Sequence, residues 1–209
     1  MLEAKGVAFT YYPHVPVLTD ISMAVAPGEI LGLWGKSGDG KSTLGRILAG
    51  YLTPNAGSVS VDGAAIASGW SPVQYVHQSS IFAVDPRWRI GRIVEEGWEP
   101  DEITRQSLGV SRSWYDRFPH EISGGELQRI ALLRALSPQT RYLIADELTA
   151  MLDPITQSTI WHFLLERCRS GLGILAISHD APLLKRIACR QHQLIQGQLH
   201  QAMPDLAIG

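Results

Sequence analysis

The chain carries two hydrophobic rhythms. Residues 2–11 alternate apolar and polar side chains until Pro13, and residues 17–25 repeat the pattern before Pro27-Gly28. A period of two bounded by turn residues predicts two antiparallel strands. Ile30 to Trp34 is a compact apolar run that leads straight into a glycine-rich stretch. Leu44, Ile47 and Leu48 then recur at helical spacing, so the order is strand, loop, helix. Residues 73–77, 142–145 and 174–177 are short runs of the fully buried type separated by helical patterns. Such runs predict parallel strands covered on both faces, and hence an α/β core. Residues 86–136 are richer in charge, contain Trp88, Trp98 and Trp114, and offer no strand. This segment reads as a helical insertion in a single domain over 1–209, whose core is 1–85 and 137–209. Near the end, Gly197 separates two short strand-like pieces within 191–201.

A length of 209 residues with 45% hydrophobic composition is enough for a substantial core. The net charge of -2 gives no overall basic field to concentrate nucleic acid or anionic lipid, so no nucleic-acid partner is expected. Cys168 and Cys189 form neither a close pair nor a Cys-x-x-Cys motif, which argues against a disulfide framework or a structural zinc site and fits a reducing cytoplasm. Residues 1–10 lack a secretory apolar stretch, and the most apolar windows fall well short of the roughly 20 residues of a membrane-spanning helix.

Gly35-Lys36-Ser37-Gly38-Asp39-Gly40-Lys41-Ser42 matches the phosphate-loop pattern, in which backbone N–H groups and a helix N-terminus converge on phosphates. Lys41 is expected to reach the β- and γ-phosphates, Ser42 to supply a hydroxyl to Mg²⁺, and Thr43 to sit by the α-phosphate. Asp39 is unusual beside a polyanion and is expected to point outward. The strand ending in Asp146-Glu147 places two acids on alternate sides. Asp146 is expected to hold the Mg²⁺ shell and Glu147 to act as general base on the attacking water.

The phosphate loop, Ser123-Gly124-Gly125-Glu126 and the segment ending in Asp146-Glu147 resemble, in order, the ABC ATPase family. The resemblance implies a P-loop NTPase (RecA-like) core with an N-terminal antiparallel β subdomain and an inserted α-helical subdomain. It implies that Ser123, Gly124, Gly125 and Glu126 are a signature motif contacting the γ-phosphate held by a second subunit, with ATP and Mg²⁺ between the two. It further marks Gln78 as the glutamine that contacts Mg²⁺ and water, and His179 as the switch histidine beside the γ-phosphate. Asp153 falls in the loop that crosses the dimer interface. Tyr11, with Tyr12 as alternative, is the aromatic that stacks on adenine. The chain departs from the family pattern at Glu126 (usually Gln), Leu148 (usually Pro) and Ala150 (usually Ser).

Residues 82–98 and Phe118-Pro119-His120-Glu121 are similar to the dipeptide, oligopeptide and nickel importer ATPases. This likeness implies an ATPase on the cytoplasmic face of the cell membrane, peripheral and bound to polytopic permease subunits. It also implies a second ABC ATPase, the same or different, and indirectly a solute-binding protein. The three tryptophans either pack the insertion or form part of the docking face. Two other readings remain open: a soluble ABC ATPase of an enzyme complex such as carbon-phosphorus lyase, and a nucleotide-gated interaction module.

Overall fold

The computed structural model describes residues 1–66 and 69–201; residues 202–209, the end of the expected domain, lie outside the described residues. The first strands in chain order are β1 (Leu2–Tyr12), β2 (Val15–Val25) and β3 (Ile30–Trp34). After them come β4 (Ala56–Val61), β5 (Ala64–Ala65), β6 (Val73–Val76) and β7 (Tyr142–Asp146). The last are β8 (Gly173–Ile177), β9 (Arg190–Ile195) and β10 (Gln198–Gln201). The α-helices are α1 (Lys41–Leu48), α2 (Ile90–Glu95), α3 (Glu102–Ser107), α4 (Gly124–Ala135), α5 (Pro154–Arg169) and α6 (Ala181–Ile187).

Two sheets result. An antiparallel sheet has the order β2-β1-β4-β5, and a second has the order β10-β9-β3-β8-β7-β6. In the second, β9, β3, β8, β7 and β6 run parallel, and β10 closes the edge as an antiparallel hairpin with β9. The α/β expectation holds, and the two predicted N-terminal strands pair as expected. The hairpin β4–β5 was not foreseen. Its sequence, AGSVSV, carries few large apolar residues, and its pairing with β1 supplies what local propensity does not.

The alternation along the central strands explains the layering. Ile174 and Ala176 of β8 join Leu143 and Ala145 of β7 in a core with α4, α5 and α6. Leu175, Ile177, Ile144 and Tyr142 face the other way, toward α1 and the antiparallel sheet. Both faces are covered, so every residue of β7 and β8 is buried. Helix α1 comes close because residue 45 is glycine. A Cβ there would stand 3.0 Å from both Ile144 and Tyr75, so that one or both would have to shift.

Residues 86–136 contain α2, α3, α4 and short 3-10 turns. Trp114 is buried, the Trp98 indole N–H donates to the Leu133 carbonyl at 3.1 Å, and Trp88 packs against the same core under the Arg92 guanidinium. Of the two readings left open for these side chains, packing of the helical segment is the one their surroundings support.

Candidate active site

Strand β3 ends at Trp34 and the chain turns through the glycine-rich loop into α1. Gly40, the residue before the helix, has φ +101°, and a Cβ there would press on Leu18 and the Val17 carbonyl at 2.9 and 3.0 Å. Only glycine fits that backbone and that space. The Lys41 ammonium folds back over the loop and donates to the Gly35 and Lys36 carbonyls at 2.8 Å each. A group so held can be transferred to an incoming phosphate without leaving a charge unpaired.

Asp39 is tethered at the back of the loop: Oδ2 accepts from the Lys36 N–H at 2.7 Å, and Oδ1 accepts from the Gln196 N–H at 3.2 Å in the β9–β10 turn, so the carboxylate braces the loop from behind.

Strand β7 delivers the two acids. Asp146 is buried, with Oδ2 accepting a hydrogen bond from the Tyr75 hydroxyl and Oδ1 having no hydrogen-bond partner among the described residues. Burial, and then the adjacent Asp146 charge, push the Tyr75 hydroxyl above the ordinary tyrosine range, so it stays a donor. Glu147 follows with φ +50°, and its N–H donates to the Ile177 carbonyl at 2.9 Å. Its carboxylate Oε2 lies 2.9 Å from Nδ1 of His179, which follows β8 and the buried Ser178. A non-glycine residue in the left-handed region is held there by its surroundings, and such residues cluster at functional sites.

These groups share one cavity of about 600 Å³, lined by Tyr11, Val17, Gly35, Ser37, Gly38, Gly40, Lys41, Ser42, Thr43, Gln78, Asp146, Glu147 and His179. The Tyr11 hydroxyl is 3.2 Å from Thr43 Oγ1, and its ring meets Phe9 edge-on. Tyr12, the alternative aromatic, is more exposed and does not line the cavity. The exposed Lys36 side chain and the tethered Asp39 carboxylate also lie outside it.

Ser123, Gly124, Gly125 and Glu126 are elsewhere, at the start of α4. Ser123 Oγ accepts from the Glu126 N–H at 3.2 Å, and the Glu126 carboxylate accepts from the Ser123 N–H at 2.7 Å. This reciprocal cap gives Glu126 a local role that its charge alone did not suggest. Asp153 caps α5, accepting from the Ile155 and Thr156 N–H groups at 3.0 Å each.

Two residues of the site's surroundings escaped the sequence reading. Tyr75 is one; its contact with Asp146 depends on how two distant strands are registered. Gln128 is the other, buried in α4, where its amide donates to the His77 carbonyl at 3.1 Å and accepts from the Ser80 hydroxyl. It ties the helix that begins at Ser123 to the segment carrying Gln78.

Residues 18–150 match the family model described as ABC transporter. The chain belongs to the ABC transporter family, to its ATP-binding domain. This ABC domain is 35% identical over 210 residues to a Brucella abortus protein named "Putative peptide import ATP-binding protein", covering 90% of the chain and 63% of that relative. It is 33% identical over 214 residues to the nickel import ATP-binding protein NikE of Rhodospirillum rubrum, covering 92% of the chain and 77% of the relative. The chain thus spans about 63% of the length of the Brucella protein it matches.

Among solved structures, the ABC domain superposes on the ATP binding subunit of an ABC transporter with TM-score 0.83 at 22% identity, over 96% of this chain and 90% of that one. It superposes on a dimeric ATP-binding cassette, in a post-hydrolysis state bound to ADP and Pi, with TM-score 0.82 at 22% identity, over 98% and 100% of the two chains. Both likenesses are of fold. The departure of this ABC domain at Leu148 has a packing reason, because that side chain is buried in the helical core.

Proposed function

We propose that the chain is the ATP-hydrolysing subunit of an ABC importer for peptides, nickel or a metal chelate. The observation that carries the reading is the convergence of Lys41, Ser42, Gln78, Asp146, Glu147 and His179 on one cavity. The names of the Brucella and Rhodospirillum relatives support the importer assignment. Among the described residues no helix is long and apolar enough to cross a membrane. In the importer reading the polytopic permease subunits are partners of this ATPase, which docks on the cytoplasmic face. Residues 86–136 are the segment assigned to that docking within the single domain.

The phosphates of ATP would lie on the loop N–H groups, with Lys41 leaving the Gly35 and Lys36 carbonyls for the β- and γ-phosphates. Tyr11 would meet the adenine. The donor set suits Mg²⁺: a hydroxyl from Ser42, an amide oxygen from Gln78 and the uncommitted Oδ1 of Asp146. Bound there, Mg²⁺ offsets charge on the terminal phosphates during transfer. Glu147 takes the proton of the attacking water, and His179 holds the Glu147 carboxylate and the γ-phosphate side of the cavity in place. The Ser123 motif does not line this cavity and would complete the site of a second ABC ATPase subunit, identical or related.

The test is purification of a Glu147→Gln variant from detergent-solubilised source cells with Mg-ATP, with Lys41→Ala alongside. Permease subunits and an ATPase partner retained only by Glu147→Gln support the importer. Recovery of soluble enzymes alone moves the chain to an ATPase of an enzyme complex. Normal ATP binding and hydrolysis by Lys41→Ala overturns the site.

A further inference from the structure

We propose that Tyr75 is a positioning residue for the Asp146 carboxylate, fixing which of its two oxygens is offered to a divalent cation; this rests on the Mg-ATP reading above. The placement follows from register. Strands β6 and β7 are parallel with Tyr75 opposite Ile144, so both side chains project toward α1. Asp146 lies two positions further on the same face, about 6.6 Å along the strand, which is within reach of a tyrosine hydroxyl leaning that way.

Unconstrained, a carboxylate turns easily, because the terminal torsion of an aspartate is broad and twofold. Here the hydroxyl takes Oδ2 and leaves Oδ1 buried and without a hydrogen-bond partner among the described residues. A buried anionic oxygen without a partner is costly unless a cation meets it. The ring is packed in place: Tyr51 and His77 meet it edge-on at centroid distances of 5.8 and 4.7 Å, and it fills the space that glycine at position 45 of α1 leaves open, where a Cβ would stand 3.0 Å from it. Tyr75 also stands three residues before Gln78, so the strand end that carries one proposed cation contact also sets the orientation of another.

The hydroxyl does not touch substrate or cation; it acts through Asp146. Loss of such an outer partner typically lowers metal affinity by about 10- to 100-fold. The test uses the full chain with ADP and Mn²⁺, following free Mn²⁺ by electron paramagnetic resonance. ADP affinity in EDTA is the metal-free control, and thermal denaturation reports folding.

Tyr75→Phe is expected to keep its ADP affinity in EDTA while Mn²⁺ affinity of the ADP complex falls about 10- to 100-fold. In an Asp146→Asn background the same change is expected to have no further effect. Tyr75→Met, which fills the gap without a hydroxyl, repeats the test if the phenylalanine variant unfolds. Unchanged Mn²⁺ affinity in a folded Tyr75 variant, or an undiminished loss in the Asp146→Asn background, overturns the proposal while the ATPase reading stands. A wild-type chain that binds neither ADP nor Mn²⁺-ADP overturns both.

Discussion

Nδ1 of His179 stands 2.9 Å from Oε2 of Glu147, across the ends of two adjacent strands. The carboxylate is 12% exposed and the imidazole 71%, so the histidine lies on the open side of the acid. The Glu147 backbone is anchored to Ile177, and the two groups are expected to act as one unit. Glu147→Gln and His179→Ala should each lower ATP hydrolysis by at least about 100-fold while equilibrium ATP binding is kept. The double variant should lose little more than either single variant, because residues of one catalytic unit are not additive. Phosphate-release assays on all three check this; fully additive losses would show that the pair does not act together.

Gln128 joins α4 to the segment after β6 through both ends of its amide. Gln128→Met keeps the volume and removes both bonds, stranding the His77 carbonyl and the Ser80 hydroxyl in a buried place. Urea denaturation should show a loss of about 1–3 kcal/mol. Adding Ser80→Ala should recover part of that loss, since an unpaired hydroxyl is then gone.

The phosphate loop, the acids at the end of β7 and His179 beyond β8 were legible because each is local. A strand, a turn and a few chemically specific side chains lie within ten positions or fewer of one another. Tyr75 was not legible as a partner of Asp146, since 71 residues separate them and only the β6–β7 register brings them together. Gln128 escaped for the same reason. It reads as a polar residue in an amphipathic helix, and its burial comes from a loop that packs over it. The tether of Asp39 was not legible because its own segment shows only phosphate chemistry, while the amide that claims one of its oxygens comes from the β9–β10 turn at Gln196. The β4–β5 hairpin gave too weak an apolar pattern, although Asp62-Gly63 between its strands is a recognisable turn.

Asp39→Ala removes the acceptor for both Lys36 and Gln196 N–H groups. The loop should then sample conformations in which its N–H groups do not converge, so ATP binding weakens through lost preorganisation rather than lost contact. The stability cost should be modest, about 1 kcal/mol, because both amides are near solvent. Calorimetric titration with ATP should show weaker binding, with the difference carried by a larger entropic cost. Binding as tight as wild type would mean that Asp39 does not shape the loop.

Glu29 gives a prediction about pH. It precedes β3, accepts from the Ala26 N–H at 2.8 Å and is paired with Arg190 at the start of β9. Burial on its own would raise its pKa, but the Arg190 and Ala26 hydrogen bonds outweigh burial and hold the carboxyl below its ordinary value of 4.5. A group whose pKa is lower folded than unfolded contributes stability that is complete above the unfolded value. That contribution fades as pH falls from about 4.5 through the folded value, because the unfolded chain then binds the proton first. Half-exposed Arg190 limits the contribution to no more than about 1 kcal/mol. Glu29→Gln should therefore be less stable than wild type at pH 7, with the gap closing as the solution is acidified below pH 4.5. Chemical denaturation across that range measures the gap, and a constant difference at every pH would mean that the side chain acts through packing instead of charge.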